Sequence, residues 1–373
     1  MTDMVFVGLD VHKATIAVAT AQEGRDGEVR SHSTIEHTPD AVRTLAARLA
    51  KGGKTLRFCY EAGPCGYGLQ RQLTALGHEC TVVAPALIPR KAGDRIKTDR
   101  RDAVALARLH RAGELTAVWI PDVAHEALRD LVRARADAVA ALRRCRQQLG
   151  GFLLRHGRVF SGRTAWGGVH RRWLSIQAFE HVAQQIVFQE YRDAVDDAQD
   201  RLSRLTDQLR RLIPMSSLAP VIEAIQAMRG VSMLTAAIVV AEVGDLTRFA
   251  SPRQLMAYLG LVPSEHSSGS CRRQGGITKA GNGAARRALV EGAWTYRLPA
   301  RIGKTHQDRM KGLPKTVRDI AWKAQTRLCA RYRRLVAAGK KPQVALVAIA
   351  REMAAFIWAI AQAMPAPIIG QPA

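Results

Sequence analysis

The chain has 373 residues, 47% of them hydrophobic and 24% charged, the make-up of a globular protein long enough for two cores. Lys and Arg outnumber Asp and Glu by 56 to 32, a formal net charge of +24, which points to a polyanionic partner, nucleic acid first. Six cysteines at positions 59, 65, 80, 145, 271 and 329 form no CxxC pair, which excludes a zinc pattern and a disulfide framework.

In chain order, Met4 to Asp10 is a short apolar run ending in an acid, Thr15 to Thr20 a second β-type run and Val29 to Ile35 a third. Three strands so closely spaced predict an antiparallel meander. Ala41 to Leu49 has helical apolar spacing, Leu56 to Tyr60 reads as a strand ending in Glu61, and Tyr67 to Leu76 as a helix closed by Gly77. A fifth strand over Thr81 to Ala84 and a helix over Arg100 to Arg111 complete the order βββαβαβα. That order predicts an α/β domain, residues 1–120, with a mixed sheet and helices packed against it.

Four acids in this domain invite a chemical reading. Asp10 and Glu61 each end a predicted strand, and Asp99 and Asp102 in KTDRRDA stand one helical turn apart. Arg90, Lys91, Arg95, Lys97, Arg100 and Arg101 surround that pair, so it is either a salt-bridged solvated face or part of a cation site. If the two strands are neighbours, all four carboxylates can converge, and a divalent ion then offsets their repulsion. Hard oxygen ligands of this kind suit Mg²⁺ or Mn²⁺.

Beyond Pro121 the texture becomes helical. Ala124 to Leu154 and Tyr191 to Ile213 carry long helical apolar patterns dense in charge, which fit an antiparallel coiled-coil arm over residues 121–213 linking two domains. Between them, residues 157–179 mix Arg163, Trp166, His170, Arg171, Arg172 and Trp173, a composition suited either to stacking on unpaired bases or to capping the arm. A mostly α-helical domain is expected over residues 214–363. It opens on helix, turn at Gly230 and helix, a helix-hairpin-helix-like segment whose turn could face a phosphate. Val231 and Ser232 follow Gly230 where a Gly-hydrophobic-Gly turn would end in glycine, which weakens that role.

The stretch from Leu261 to Leu289 reads as a flexible basic loop leading into a basic helix, with Arg272, Arg273, Lys279, Arg286 and Arg287 as phosphate contacts. Helical patterns at 284–298, 314–337 and 343–362 follow, with Arg318, Lys323, Arg327, Arg331 and Arg334 as candidate lining of a nucleic-acid groove. The long apolar run from Val344 to Ala363 is interrupted by Arg351 and Glu352 and reads as a packed helix rather than a membrane span. The Pro-rich tail, residues 364–373, is expected to be disordered. No signal-peptide pattern opens the chain, so a cytoplasmic, nucleoid-associated protein is expected.

GLDVHK, YEAGPCGY and KTDRRDA, with SSGS and ITKAGN further on, resemble the DEDD transposases of insertion sequences. Those are bridge-RNA-guided recombinases related to Piv-type DNA invertases. The resemblance implies a RuvC-like (RNase H-like) N-terminal domain in which Asp10, Glu61, Asp99 and Asp102 bind Mg²⁺. It implies a transposase domain whose nucleophile is Ser268, with Ser267 one residue away in register. It further implies target and donor DNA and a guide RNA as partners, and a homo-oligomer, dimer or tetramer, in which the two sites come from different protomers. Two other readings stay open on the residues alone: a RuvC-like structure-specific endonuclease, and a non-catalytic nucleic-acid-binding protein.

Overall fold

A computed structural model describes residues 3–89, 98–269 and 271–364. Arg90, Lys91, Arg95, Lys97, Ser270 and the tail after Met364 lie outside the described residues. The chain divides into two compact units, residues 1–120 and 121–373.

The first unit runs β1 (Met4–Val11), β2 (Thr15–Gln22), β3 (Val29–Ser31), β4 (Ile35–Glu36), α1 (Pro39–Leu49), β5 (Thr55–Glu61), α2 (Gly68–Ala75), β6 (Glu79–Val83) and α3 (Asp99–Ala112). The sheet order is β3-β2-β1-β5-β6, with β4 also beside β2. β1 and β2 are antiparallel, whereas β1, β5 and β6 are parallel. This is the mixed α/β sheet expected, except that the third predicted strand is split into β3 and β4.

Alternation along β1 explains the layers. Val5, Val7 and Leu9 enter a core with Val42 and Leu45 of α1 and Leu69 and Leu73 of α2. Phe6 turns the other way and packs with Ala103 and Ala107 of α3. Gly8 shares that second face. A Cβ there would stand 2.3 Å from the Ala103 carbonyl oxygen and 2.4 Å from the Ala107 nitrogen, so only glycine lets the helix backbone rest on the strand.

The second unit holds α4 (Val123–Arg155), α5 (Gly168–Ser175), α6 (Val182–Leu212), α7 (Ala219–Ile225), α8 (Met233–Val243), α9 (Pro252–Tyr258), β7 (Pro263–Glu265), β8 (Gln274–Ile277), α10 (Gly283–Ala293), α11 (Lys304–Met310), α12 (Lys315–Ala337) and α13 (Pro342–Gln362). It is mostly helical. α4 and α6 pack antiparallel: Arg135 Nε donates to Thr206 Oγ1 at 2.8 Å, Arg146 to Gln199 Oε1 at 3.1 Å, and Phe152 stacks on Phe188. At their far end Trp166, Trp173 and Phe179 join one cluster with Phe152 and Leu174. The Arg146 guanidinium lies 4.8 Å over the Trp166 ring. Both tryptophans are half-buried there, an arrangement that favours capping over base stacking.

α13 is long and apolar enough to cross a membrane by composition alone. Leu346, Ile349, Met353, Ile357 and Ile360 nonetheless lie fully buried in the helical core beside residues of α8, α10 and α12, and that burial accounts for the run.

Candidate active site

The carboxyl ends of the parallel strands position the acids. Leu9 pairs with Tyr60 across β1 and β5, so Asp10 and Glu61 follow at the same level on adjacent strands. Both lie on the face that α3 covers, because Asp10 stands two residues beyond Gly8. Thr98 caps α3, its hydroxyl accepting from the Arg101 amide at 3.3 Å. Asp99 and Asp102 fall in the first helical turn, immediately before the Ala103–Ala107 segment seated on Gly8. Acids there also gain from the helix dipole.

Asp10 and Asp99 meet through a residue that sequence reasoning passed over. His12 Nε2 lies 3.3 Å from Asp10 Oδ2 and 3.5 Å from Asp99 Oδ2, and one ligand atom from each of the three sits within 4.8 Å of the others. Glu61 and Asp102 stand outside that tight group. Burial pushes the Asp10 carboxyl above its ordinary pKa; His12 opposes this, while Asp102 and then Asp99 add to it by repulsion. The D-x-H spacing at the end of β1, which puts alternate side chains on one face, is the signal that would have found His12. Oxygen donors that repel one another, with one imidazole nitrogen, are a donor set that a divalent cation fits.

The predicted flexible loop around the serines is instead a β-hairpin. β7 and β8 are antiparallel, and the turn is closed by reciprocal backbone hydrogen bonds of 3.1 Å between Ser268 and Cys271. Glu265 ties the structure together. It accepts from Ser267 Oγ at 2.9 Å and from Gln274 Nε2 at 3.1 Å, and pairs with Arg272 Nε at 3.2 Å. Hydrogen bonds from Gln274, Ser267 and Arg272 hold the Glu265 carboxyl below its ordinary pKa. The neighbouring serines therefore differ: Ser267 is engaged by a carboxylate, and Ser268 is exposed at the turn.

The basic candidates separate in the same way. Arg273, Lys279, Arg287, Arg318, Lys323 and Arg334 are exposed. Arg286 donates from Nη1 to the Leu259 and Ala280 carbonyls at 2.9 Å each, bracing the hairpin root. Arg327 and Arg331 share the Glu352 carboxylate, at 2.6 and 3.4 Å. Gly230, in the turn between α7 and α8, abuts α10: a Cβ on it would stand 2.3 Å from the Gly292 carbonyl oxygen.

Comparison with known proteins identifies the family. A DEDD-type IS110 transposase profile matches residues 7–157, spanning the acid site, and the profile described as the transposase IS116/IS110/IS902 family matches residues 222–307, spanning the hairpin. The chain is 53% identical over 357 residues to the putative transposase y4qE of Sinorhizobium fredii, covering 96% of this chain and 88% of that one. It is 31% identical to the transposase for insertion sequence element IS1533 of Leptospira borgpetersenii, covering 91% of this chain and 99% of that one. With both profiles and a full-length relative in agreement, the chain belongs to the IS110 family of insertion-sequence transposases, enzymes that cut and rejoin DNA.

Proposed function

We propose that the protein is a site-specific DNA recombinase that moves its insertion sequence under the direction of a guide RNA, with Ser268 as nucleophile and Mg²⁺ or Mn²⁺ at the acid site. The observation that carries the reading is the convergence of Asp10, His12 and Asp99 at the sheet edge, with Asp102 adding to the field on Asp10. Asp10, Glu61, Asp99 and Asp102 would hold the ion. When bound, it supplies Lewis-acid stabilisation of charge developing on phosphate oxygens. Asp10, far more enclosed than Asp99, anchors the set. α3 delivers Asp99 and Asp102 as one rigid turn.

On this reading the Ser268 hydroxyl attacks a backbone phosphorus. An Oγ–P bond forms as one P–O bond of the strand breaks, the serine proton passes to water, and the freed strand end leaves as a hydroxyl. The phosphodiester energy is kept in the protein–DNA bond, so the strand can be rejoined without an external energy source. A serine is a weak nucleophile at neutral pH and requires activation. A guide RNA would supply the sequence choice, leaving the basic surfaces to hold backbone phosphates. We further place the protein in the cytoplasm at the nucleoid, as a dimer or tetramer in which the α4–α6 pair acts as a coiled-coil arm.

The test is capture of a covalent adduct. Wild-type protein incubated with RNA, labelled donor and target DNA should yield a protein–DNA species mapping to Ser268, and Ser268→Ala should yield none. An adduct at Ser267, or strand exchange by Ser268→Ala, overturns the assignment.

A further inference from the structure

Away from the acids and the serine hairpin, the helical unit contains a cavity of about 260 Å³ lined by Arg229, Gly230, Arg301, Lys304, His306 and Arg309 among others, with no carboxylate in its lining. Its walls are the turn 227–231 and the segment 299–309. Three side chains stitch them together: Arg229 Nη1 donates to the Pro299 carbonyl at 2.7 Å, His306 Nε2 contacts the Ala227 carbonyl at 2.5 Å, and Arg309 Nη1 reaches the Val231 carbonyl at 3.4 Å. Gln325, fully buried on α12, donates to the Arg301 carbonyl at 2.6 Å and fixes the segment from behind. The two walls of the cavity are therefore tied to each other.

Every one of these ties uses a backbone carbonyl. None uses an acid, and Arg229, Arg301, Lys304 and Arg309 line one cavity with no carboxylate among them. Such a group repels itself unless an anion sits among its members. A guanidinium has five N–H donors, and the single bond that Arg229 or Arg309 makes to a carbonyl leaves the others for a second acceptor. Flat, forked guanidinium donors beside a lysine ammonium match phosphate oxygens.

We propose that this cavity seats a phosphodiester group of a nucleic-acid strand, at a place separate from the hairpin and from the α12 arginines. The proposal rests on the transposase reading only in taking nucleic acid as the bound polyanion. It is tested by binding, not by cleavage, so a failure of the Ser268 assignment leaves it standing. The variant is Arg301→Ala/Lys304→Ala in the full chain, since both side chains are exposed and neither stitches the walls. Its binding to a labelled DNA duplex and to a labelled RNA is measured across a salt series, beside a control variant, Lys340→Ala/Lys341→Ala, that removes the same charge elsewhere. Releasing one phosphate from the cavity should lower affinity roughly tenfold at about 0.1 M salt and make the log–log salt slope shallower by about one. A loss of affinity confined to the cavity variant, with DNA or with RNA, supports the seat and identifies the strand. Equal weakening in both variants, or affinity unchanged with both probes, overturns it.

Discussion

Arg133 on α4 meets Glu242 on α8 fork to fork, with Nε 2.8 Å from Oε1 and Nη2 2.9 Å from Oε2. Glu242 is buried, its side chain only 4% exposed, and it also accepts from Asn282 Nδ2 at 2.6 Å. Asn282 in turn caps α10, its Oδ1 accepting from the Ala285 amide. His125 and Arg129, one helical turn apart along α4, reach the Ala241 carbonyl beside it. One carboxylate thus joins the base of the long helix to the start of the basic helix after the hairpin.

Burial by itself would raise the Glu242 carboxyl, but the hydrogen bonds and charge of Arg133, with Asn282, outweigh it and hold the pKa below the ordinary value. A depressed folded pKa gives stability that is full above the unfolded value, about 4.3, and is lost as pH falls through the folded one. Denaturant melts should therefore show Glu242→Gln losing stability at neutral pH, while the gap to wild type narrows below about pH 4. Arg133→Ala, which leaves a buried acid held mainly by Asn282, should cost about 1–3 kcal/mol, less than for a fully buried pair because the guanidinium is half exposed. A gap that does not change with pH would refute the ion-pair account.

Gly8→Ala should force α3 away from the sheet. The overpacking cost is about 1–3 kcal/mol, read as a lowered melting temperature. DNA cleavage should fall further than stability does, because the displaced helix carries Asp99 and Asp102. Wild-type cleavage by a folded Gly8→Ala protein would show that the acids need no such indexing.

Asp10→Asn, or chelation of divalent ions, should reduce strand cleavage at least about a hundredfold while nucleic-acid binding persists. Added Mn²⁺ should restore the chelated wild type and not the variant. Cleavage that survives chelation would remove the metal from the reading.

Mixing tests the assembly. Asp10→Asn and Ser268→Ala proteins should each be inactive, and co-assembled they should regain strand exchange if an acid site and a serine from different protomers serve one strand. No recovery in a verified mixed oligomer would place both sites on the same chain.

The arginines of α12 should not be equivalent. Neutralising Arg318, Lys323 and Arg334 should flatten the salt dependence of nucleic-acid binding by about one unit for each phosphate no longer held. Arg327 and Arg331, already shared with Glu352, should contribute less. A salt series on the two sets of variants compares them directly.

Sequence periodicity carried much of the first unit, because alternating apolar faces and strand-end acids leave a direct trace. Asp10 and Glu61 could be placed at strand ends for that reason, while the adjacency of the two strands came only with the parallel pairing of β1 and β5. His12 was passed over because the D-x-H spacing pairs it with Asp10 only if the strand's alternation continues past Val11, where β1 ends. The β7–β8 hairpin was invisible for the opposite reason: its Gly, Ser and Arg residues offer no apolar alternation, and Glu265 orders it through polar contacts. α6 begins at Val182, nine residues before its legible pattern, since His181 makes no side-chain cap and the first turn has no acid. Val182 and Ile186 are exposed, so they break the buried stripe that marks the rest.

Gly230 and Gly292 each deny the other room for a methyl group, since a Cβ added to one or the other would stand 2.3 or 2.6 Å from the opposing carbonyl oxygen. Contacts between side chains yield, since a rotamer can turn and take up a small displacement. Here two backbones touch with nothing between them. The turn that walls the cationic cavity therefore rests directly on the helix that follows the serine hairpin, backbone against backbone. A side chain added at either glycine would have to separate the cavity's turn from that helix.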